Sequence, residues 1–318
     1  MQKNIKLITF VVFLGASFAC QAKNVAYLFA HGLYSNRSLA GYHKKFIQDE
    51  GCLKTDTSLQ LTYKSGSSYT WPLITQDDAN FWIIQAPVYS FNFPDALRGY
   101  DANQTSLGQK NEINALANAY EKIKGNEIVL MGMSRGASTI LTFLGTHNHE
   151  HVVAVVLESP FDSILNTLNT HCGAFWLGFL PVILHTSPNV LFGKFDRNGV
   201  SPIQVIDKIN KDLPILIIAS LQDTFIPALN TASIYLKFLE NNYDNVYFLL
   251  VDHGVHGYLL EDNDTHLYLN TVHAFYKKQG LPYNRTFAAQ GDAILAQCHP
   301  SKELVQEAIK NKKSFIKQ

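Results

Sequence analysis

The sequence has no excess of charge of either sign, and charged residues are sparse. Among its 318 residues, Lys and Arg together number 26 and Asp and Glu together number 26, so the formal net charge is zero. Such a balance indicates neither a nucleic acid nor an acidic polymer as partner. Charged residues make up only 16% of the chain and hydrophobic residues 47%. This composition excludes the intrinsically disordered class and predicts a protein with a sizeable buried core.

Long apolar runs, internal repeats and low-complexity linkers are also lacking. The apolar runs at residues 7–18 and 174–184 both fall short of the roughly 20 residues that a membrane-spanning helix needs. The sequence therefore predicts no membrane span, and its length without a linker predicts one elaborated domain.

The N-terminus has the pattern of a secretory signal. Lys3 and Lys6 precede the first apolar run, and small residues follow it. We expect cleavage after Ala22 rather than Ala19, which makes residues 1–22 a signal peptide and the protein secreted or periplasmic. The alternative is a lipid anchor at Cys20.

Cysteines are few. After removal of the leader, Cys52, Cys172 and Cys298 remain, and an oxidising compartment permits any one of three disulfides with one thiol left over. The sequence does not choose among these pairings, and three reduced thiols are the alternative.

From residue 24 onward, short β-branched runs alternate with longer amphipathic stretches. This alternation predicts an α/β fold with a mostly parallel sheet and helices on both faces. The predicted strands are residues 25–30, 81–86, 127–132, 152–158, 214–220 and 246–251. The predicted helices are residues 39–48, 105–124, 134–145, 203–210, 228–240 and 265–278, followed by a last helix that Ser301 caps.

The main domain is predicted at residues 23–280. Within it, an aromatic and Pro-containing stretch at about residues 160–199 interrupts the alternation, and we interpret it as a small cap inserted after the strand that follows helix 134–145. Residues 281–318 form a predicted C-terminal helical extension.

The pentapeptide Gly-Met-Ser-Arg-Gly at residues 132–136 follows a predicted buried strand and opens a predicted helix. This is the context of a nucleophile elbow, in which the serine occupies a strained turn and the flanking glycines relieve crowding. Ser134 is therefore the candidate nucleophile. The alternative is a tight turn with a buried, hydrogen-bonded serine.

A serine hydroxyl needs a general base and a third group that orients the base. Asp223 lies in the loop just past predicted strand 214–220 and is the candidate acid. The alternative is a turn or N-cap aspartate ahead of Pro227. Glu158 and Asp162, which follow the preceding strand, are reserve candidates.

Two histidines follow the last predicted strand in the run Asp-His-Gly-Val-His-Gly at residues 252–257. The base must stand back from the strand end so that its ring leans over Ser134, and this favours His256 over His253. Both remain open, because either can be a turn histidine that bonds its own loop.

Two backbone amides are candidate donors to the oxyanion of a tetrahedral intermediate. His31 and Gly32 end the first predicted strand, which points to the backbone N–H of Leu33. The second donor is the backbone N–H of Arg135, at the start of the helix after the elbow.

Together these motifs resemble the α/β-hydrolase superfamily, and in detail its prolyl-oligopeptidase-like and dienelactone-hydrolase-like members. The resemblance covers about residues 25–276. It rests on motifs in the family's order, at residues 31–32, 106–109, 132–136, 201–203, 214–223, 226–227 and 256–257. It implies the α/β-hydrolase fold, the Ser134, Asp223 and His256 triad, and the oxyanion roles of Leu33 and Arg135. The chain departs from the pattern where Ser-Leu-Gln precedes Asp223, where no Gly-rich turn follows residues 87–93, and in two early strands that are not evident.

The sequence thus predicts an exported serine hydrolase that cleaves a carboxylic ester or related acyl bond of a small or medium substrate, with no cofactor and no metal. A serine peptidase or thioesterase on the same fold is the alternative within this class. The alternative outside it is an exported, non-catalytic binding protein that retains the fold. A metal site formed by His147, His149 and His151 is a further alternative, although a solvated loop is the favoured interpretation of this segment.

Overall fold

The structure is a computed structural model that describes residues 25–32, 59–62, 68–71, 75–76, 81–85, 88–91, 93–96, 101, 104–167, 193–259 and 263–317. Several predictions lie outside these residues. They are the signal peptide at residues 1–22 with Cys20, the thiols Cys52 and Cys172, the predicted helix 39–48, the amide of Leu33, and the part of the predicted cap at residues 168–192.

The main sheet has eight strands in the order β10-β9-β8-β7-β1-β6-β5-β4. The six from β10 to β6 are parallel, while β5 is antiparallel to β6 and β4 is antiparallel to β5. The strands are β1 (Val25–Ala30), β4 (Thr75–Gln76), β5 (Phe81–Gln85), β6 (Val88–Phe91), β7 (Glu127–Met133), β8 (Val152–Glu158), β9 (Ile215–Ser220) and β10 (Val246–Val251). A separate antiparallel pair is formed by β2 (Leu59–Thr62) and β3 (Ser68–Trp71).

Helices cover the two faces of this sheet. They are α1 (Lys110–Ile123), α2 (Arg135–Thr146), α3 (Ala228–Glu240), α4 (Thr265–Lys278), α5 (Arg285–Leu295) and α6 (Lys302–Asn311). Helices α1, α2, α3 and α6 contribute to the apolar core on one face, and α4 and α5 to the core on the other. Because both faces are covered, the central strands are continuous apolar runs, and every residue of β1, β9 and β10 is buried. The predicted α/β fold is confirmed.

The parallel strands place their carboxyl ends along one edge of the sheet. In the register of β1 with β7, Ala30 pairs with Gly132, so the end of β1 lies beside the turn that leads into α2. The ends of β9 and β10 lie along the same edge, where Val251 pairs with Ser220. This edge therefore gathers the loops that carry the candidate site residues.

Two helix predictions need correction. The helix predicted at residues 105–124 begins only at Lys110, because Leu107 and Gly108 have left-handed φ values of 53° and 88°. The helix predicted at residues 203–210 is wrong, since two short 3-10 turns replace it. The hydroxyl of Tyr243 lies 2.5 Å from the Ile206 carbonyl oxygen and 2.6 Å from that of Ile209, and so takes up carbonyl groups that an α-helix would use.

The two early strands that the sequence did not reveal are present as β4 and β6 in the main sheet. The C-terminal residues also pack on the main domain. Helix α5, capped by the Asn284 side chain, contributes to the same core as α4. The carbonyl oxygen of Cys298 accepts a hydrogen bond of 2.7 Å from Phe248 N–H, which covers part of the outer edge of β10. Within the described ranges, no helix combines the length and the apolarity that crossing a membrane requires.

Candidate active site

Ser134 occupies the sharp turn between β7 and α2. Its φ of 53° and ψ of −120° are rare for a residue with a side chain, which is the strain expected of a nucleophile elbow. A Cβ on Gly136 would lie 2.0 Å from the Ala30 carbonyl oxygen, and a Cβ on Gly132 would lie 2.8 Å from Ala137 N. The two glycines are therefore required because the backbone passes too close for a side chain.

The elbow is fixed on both sides. Ser134 N–H donates to the Glu158 carbonyl oxygen at 2.8 Å, which extends the pairing of β7 and β8 by one residue. Helix α2 starts at Arg135 and is buried through its first ten residues. The backbone amides of a helix's first turn have no partner within the helix, so Arg135 N–H is available to a ligand at the serine.

Asp223 holds His256. One carboxylate oxygen of Asp223 accepts hydrogen bonds from the backbone N–H groups of Phe225, at 2.9 Å, and Ile226, at 2.8 Å. The other lies 2.7 Å from Nδ1 of His256. An ionised carboxylate only accepts, so Nδ1 donates, and in the neutral ring Nε2 is left as the basic nitrogen. The side chains of Asp223 and His256 are only 1% and 17% exposed.

The loop after β10 brings His256 back toward the elbow. Gly257 has a φ of 78°, and a Cβ at that position would lie 3.4 Å from the sulfur of Met133, the residue before Ser134. The ring of Phe225 lies against the His256 ring, with their centroids 5.0 Å apart. The structure thus joins Asp223 to His256 and places the His256 loop beside the residue that precedes the serine.

His253, the alternative base, has a partner of its own. Its Nδ1 lies 3.2 Å from the Asp264 carboxylate, which also accepts the His253 backbone N–H at 2.8 Å. The His253 side chain is 45% exposed. The loop therefore carries two histidines that each contact an aspartate, and only His256 contacts the predicted acid.

The reserve acids are engaged elsewhere. Burial raises the pKa of Glu158 to about 8, the nearby Asp223 charge adds to the rise, and a 3.1 Å hydrogen bond from the Tyr268 hydroxyl opposes it. Asp162 accepts hydrogen bonds from Ser163 N–H, at 2.6 Å, and from the side-chain amides of Asn166, at 2.9 Å, and Asn230, at 3.2 Å. Asp162 thus ties the segment after β8 to α3.

The end of β1 lies next to the serine. A Cβ on Gly32 would stand 3.5 Å from the Cβ of Ser134. His31 is fully buried, and burial lowers the pKa of its ring well below the usual value, so the ring is neutral near pH 7. Its Nε2 accepts Phe93 N–H at 3.1 Å, which leaves Nδ1 to donate to the Gly32 carbonyl oxygen at 2.8 Å.

The side chain of Arg135 is buried beneath the elbow. One terminal nitrogen, Nη1, donates to Asp95 at 2.6 Å and to Thr105 at 3.1 Å, and lies 3.4 Å from Glu112. The other, Nη2, donates to the Gly32 carbonyl oxygen at 3.1 Å. The guanidinium also lies over the Phe93 ring, 4.7 Å from its centroid. These partners of Arg135 are not predictable from the sequence, because no motif spacing links Asp95, Glu112 or Thr105 to it.

The three loop histidines bind local groups. Nδ1 of His147 lies 2.9 Å from the Thr146 hydroxyl, Nδ1 of His149 lies 2.9 Å from the His147 carbonyl oxygen, and Nε2 of His151 lies 3.5 Å from Glu150. In the part of the chain that the structure describes, no group of three His, Cys, Asp or Glu side chains is placed to hold a metal ion. Cys298 is buried and reduced, and burial raises the pKa of its thiol.

Comparison with known proteins agrees with this architecture. The family model described as the prolyl oligopeptidase family matches residues 87–280, which is more than half of the chain. No curated protein sequence matches this chain.

Two solved structures illustrate the structural likeness. An esterase from Pyrococcus furiosus is 17% identical, with 81% of this chain and 84% of that chain covered and a TM-score of 0.52. An acylaminoacyl peptidase from Pyrococcus horikoshii is 13% identical, with a TM-score of 0.52; 82% of this chain is covered but only 38% of the peptidase. At these identities the likeness concerns the fold alone.

Proposed function

We propose that this chain, which belongs to the prolyl oligopeptidase family and is a serine hydrolase, cleaves carboxylic esters through a triad of Ser134, Asp223 and His256. The observation that carries the proposal is the 2.7 Å contact between Asp223 and Nδ1 of His256. His256 lies in a loop that packs beside a strained serine turn. This is the arrangement in which an acid fixes the tautomer of a base that serves a serine.

In the proposed reaction, the Ser134 hydroxyl oxygen attacks the ester carbonyl carbon while its proton passes to Nε2 of His256. The carbonyl oxygen becomes an oxyanion, to which the backbone N–H groups of Arg135 and Leu33 donate. The intermediate collapses to an acyl-enzyme as His256 returns the proton to the leaving alkoxide. Water, deprotonated by His256, then attacks the acyl carbon, and release of the acid restores Ser134. None of these steps needs a cofactor or a metal ion.

The surroundings of His256 support an apolar acyl substrate. Phe225, which lies against the His256 ring, is 46% exposed, and Val255 and Tyr258 on either side of this histidine are also exposed. Binding sites for small organic molecules are largely apolar, with a few polar groups that fix orientation. This favours a small or medium ester as substrate.

A peptide amide is the second candidate substrate. It is favoured by the match to the prolyl oligopeptidase family, together with the likeness to a protein named as an acylaminoacyl peptidase. Export after cleavage at Ala22 is a further part of the proposal, with a lipid anchor at Cys20 as the alternative. The N-terminal mass of the mature protein separates the two.

Labelling with a fluorophosphonate tests the triad. We expect stoichiometric labelling at Ser134, none in Ser134→Ala, and at least about a hundredfold slower labelling in His256→Ala, because the hydroxyl then has no base. A folded protein that is not labelled would reject the enzyme and favour a binding protein with the same fold. p-Nitrophenyl esters of rising chain length and matched peptide p-nitroanilides then decide the substrate class. Faster hydrolysis of the amides would reverse the preference for esters.

A further inference from the structure

The C-terminal tail, residues 312–317, runs along the outer edge of the main sheet. Strand β10 is the terminal strand of that sheet, so only one side of its backbone pairs with another of the described strands. On the other side, the Ser314 hydroxyl donates to the Leu250 carbonyl oxygen. Earlier on β10, Phe248 N–H donates to the Cys298 carbonyl oxygen at 2.7 Å. The tail thus covers the edge of β10 close to its carboxyl end.

Ser314 also contacts the loop after β10, which carries the candidate base. Its backbone N–H donates to Oδ1 of Asp252 at 2.7 Å. Asp252 directly follows Val251, the last residue of β10, and opens the loop in which His256 lies. Ser314 therefore binds the residues on both sides of the strand end, Leu250 and Asp252.

Two further hydrogen bonds hold the start of this loop. Leu221 N–H donates to the Val251 carbonyl oxygen at 3.0 Å, which ties the end of β10 to the segment that follows β9. The Asp264 carboxylate accepts His253 N–H at 2.8 Å. Together with the Ser314 contacts, these bonds tie the chain from the end of β10 to His253 to three different parts of the fold.

Beyond His253 the backbone itself restricts the loop little. Gly254 and Gly257 have φ values of 120° and 78°, and glycine has the widest choice of backbone conformations. The position of the His256 ring therefore depends on its 2.7 Å hydrogen bond with Asp223 and on the point from which the loop starts. Misplacement of a reacting group by about 1 Å can slow a reaction about a hundredfold.

The tail is itself bound to the fold. The Gln297 side chain pairs with the backbone of Lys317, because it accepts the N–H at 2.8 Å and donates to the carbonyl oxygen at 3.2 Å. Ile316 is buried in the core that includes α4 and α5, and its N–H donates to the Ser314 hydroxyl oxygen at 3.0 Å. These contacts give Ser314 a fixed position from which it holds the loop.

The tail follows the region that matches the prolyl oligopeptidase family, since that match ends at residue 280. We propose that Ser314 and Asp252 are positioning residues for the general base: the C-terminal tail holds the start of the loop after β10 and thereby keeps the His256 ring in reach of Ser134. The inference rests on the proposed function. It assigns the tail a role in the reaction as well as in stability.

The test compares Asp252→Ala with Asp252→Asn and with Asn284→Ala. Alanine at 252 removes the acceptor of Ser314 N–H, whereas asparagine retains a side-chain oxygen that can accept it. Asn284→Ala is the matched control. It removes the side chain that caps α5 through two backbone N–H groups, and so destabilises the C-terminal region without removing a contact of the His256 loop. A further variant ends at Lys313 and lacks Ser314 and all later residues.

The readouts are kcat and KM for p-nitrophenyl butyrate per site titrated with a fluorophosphonate, the second-order rate constant of that labelling, and the Tm. For Asp252→Ala we expect kcat and the labelling rate constant to fall about tenfold, with KM changed less than about threefold. Asp252→Asn should keep both rates within about threefold of wild type. Asn284→Ala should lower the Tm and leave both rates per site within about twofold. A purely structural role would change the Tm and the number of titratable sites, but neither rate per site.

A double-mutant cycle tests whether Asp252 acts through the tail. The chain that ends at Lys313 should lose at least as much kcat per site as Asp252→Ala. In that shortened chain, Asp252→Ala should change kcat by less than about twofold, because the partner of Asp252 is already absent. A second tenfold loss there would show that Asp252 acts without Ser314, and would overturn the inference. Should the shortened chain not fold, the two Asp252 variants still decide, since equal kcat per site in Asp252→Ala and Asp252→Asn overturns it.

The outcomes separate this inference from the proposed function. Wild-type protein that is not labelled by the fluorophosphonate would reject the proposed function, and the role of the tail would be rejected with it. Labelled, active wild-type protein with an unaffected Asp252→Ala variant, or with an equal loss per site in Asn284→Ala, would overturn only the positioning role.

Discussion

The loop after β10 supplies the histidines of two His–Asp pairs, which differ in the position of the acid, in the distance between the partners and in exposure. Asp223 is held by two backbone amides, binds His256 at 2.7 Å, and belongs to the turn that follows β9. Asp264 stands at the N-terminus of α4 and contacts His253 at 3.2 Å. The His253 side chain is 45% exposed and that of His256 17%.

The difference teaches that a histidine next to an acid is not yet a catalytic base. A base needs an acid that is itself fixed, so that only one tautomer and one ring orientation persist, and it needs partial exclusion of water. The His256 pair meets both conditions. The His253 pair anchors the loop to the start of α4, where a carboxylate is stabilised by the helix dipole.

Exchanging the two histidines for alanine gives the largest expected contrast. His256→Ala should lower kcat/KM for p-nitrophenyl butyrate by at least about a thousandfold, because Ser134 loses its general base. His253→Ala, the matched control, should remain within about fivefold of wild type. Steady-state kinetics with site titration measures both. Equal losses in the two variants, or a larger loss in His253→Ala, would mean that His256 is not the general base.

The acids give the next contrast. Asp223→Asn should lower kcat about 10²- to 10⁴-fold, since the amide can stabilise the wrong tautomer of His256. Asp264→Asn should leave kcat within about threefold and cost about 1–2 kcal/mol in the free energy of unfolding, because a charged acceptor of His253 N–H is lost. Kinetics and urea unfolding of both variants check this. Near-normal activity of Asp223→Asn would show that another carboxyl, with Glu158 the first to test, supports His256.

Strongly patterned elements could be predicted from the sequence almost to the residue. The bounds of β8, β10, α3 and α4 match those predicted, because continuous apolar runs and regular helical spacing arise directly from burial. Helix α5 was missed. Its buried face includes Gly291, where a Cβ would lie 1.9 Å from the Asn270 carbonyl oxygen. The close approach of α5 to α4 thus requires glycine at this position, and the apolar residue that would mark a helical pattern is absent.

The candidate site likewise contains residues that the sequence predicts and residues that it does not. Ser134, Asp223 and His256 stand at strand ends, where chain order and motif letters are informative. The groups around them do not follow a local pattern: Asp264 lies 11 residues beyond His253, and Asp95 lies 40 residues before Arg135. Such contacts arise from tertiary packing, and a single sequence carries no spacing rule for them.

The third contrast concerns the charge next to Asp223. The Asp223 charge helps to raise the pKa of the buried Glu158 carboxyl. Asp264, in contrast, lies at the N-terminus of α4, where the helix dipole stabilises a negative charge. The pKa of Glu158 is raised to about 8 in the folded protein, whereas an unfolded glutamate carboxyl ionises near its usual value of 4.5. Between these two pKa values Glu158 binds more protons in the folded state than in the unfolded state. The stability that Glu158 contributes at low pH is therefore lost as the pH rises from 4.5 to about 8.

Replacing Glu158 with glutamine, which resembles the protonated acid, should remove this pH dependence. We expect the free energy of unfolding of wild type, relative to Glu158→Gln, to fall by on the order of 3 kcal/mol between pH 5 and pH 9. Urea unfolding of both proteins at pH 5, 7 and 9 measures the difference, and Asp264→Asn, analysed in the same way, should not show a fall of this size in that range. A constant difference between wild type and Glu158→Gln would mean that Glu158 is ionised throughout. Asp223 would then share its surroundings with a second charge, and the two His–Asp pairs would differ less than their geometry indicates.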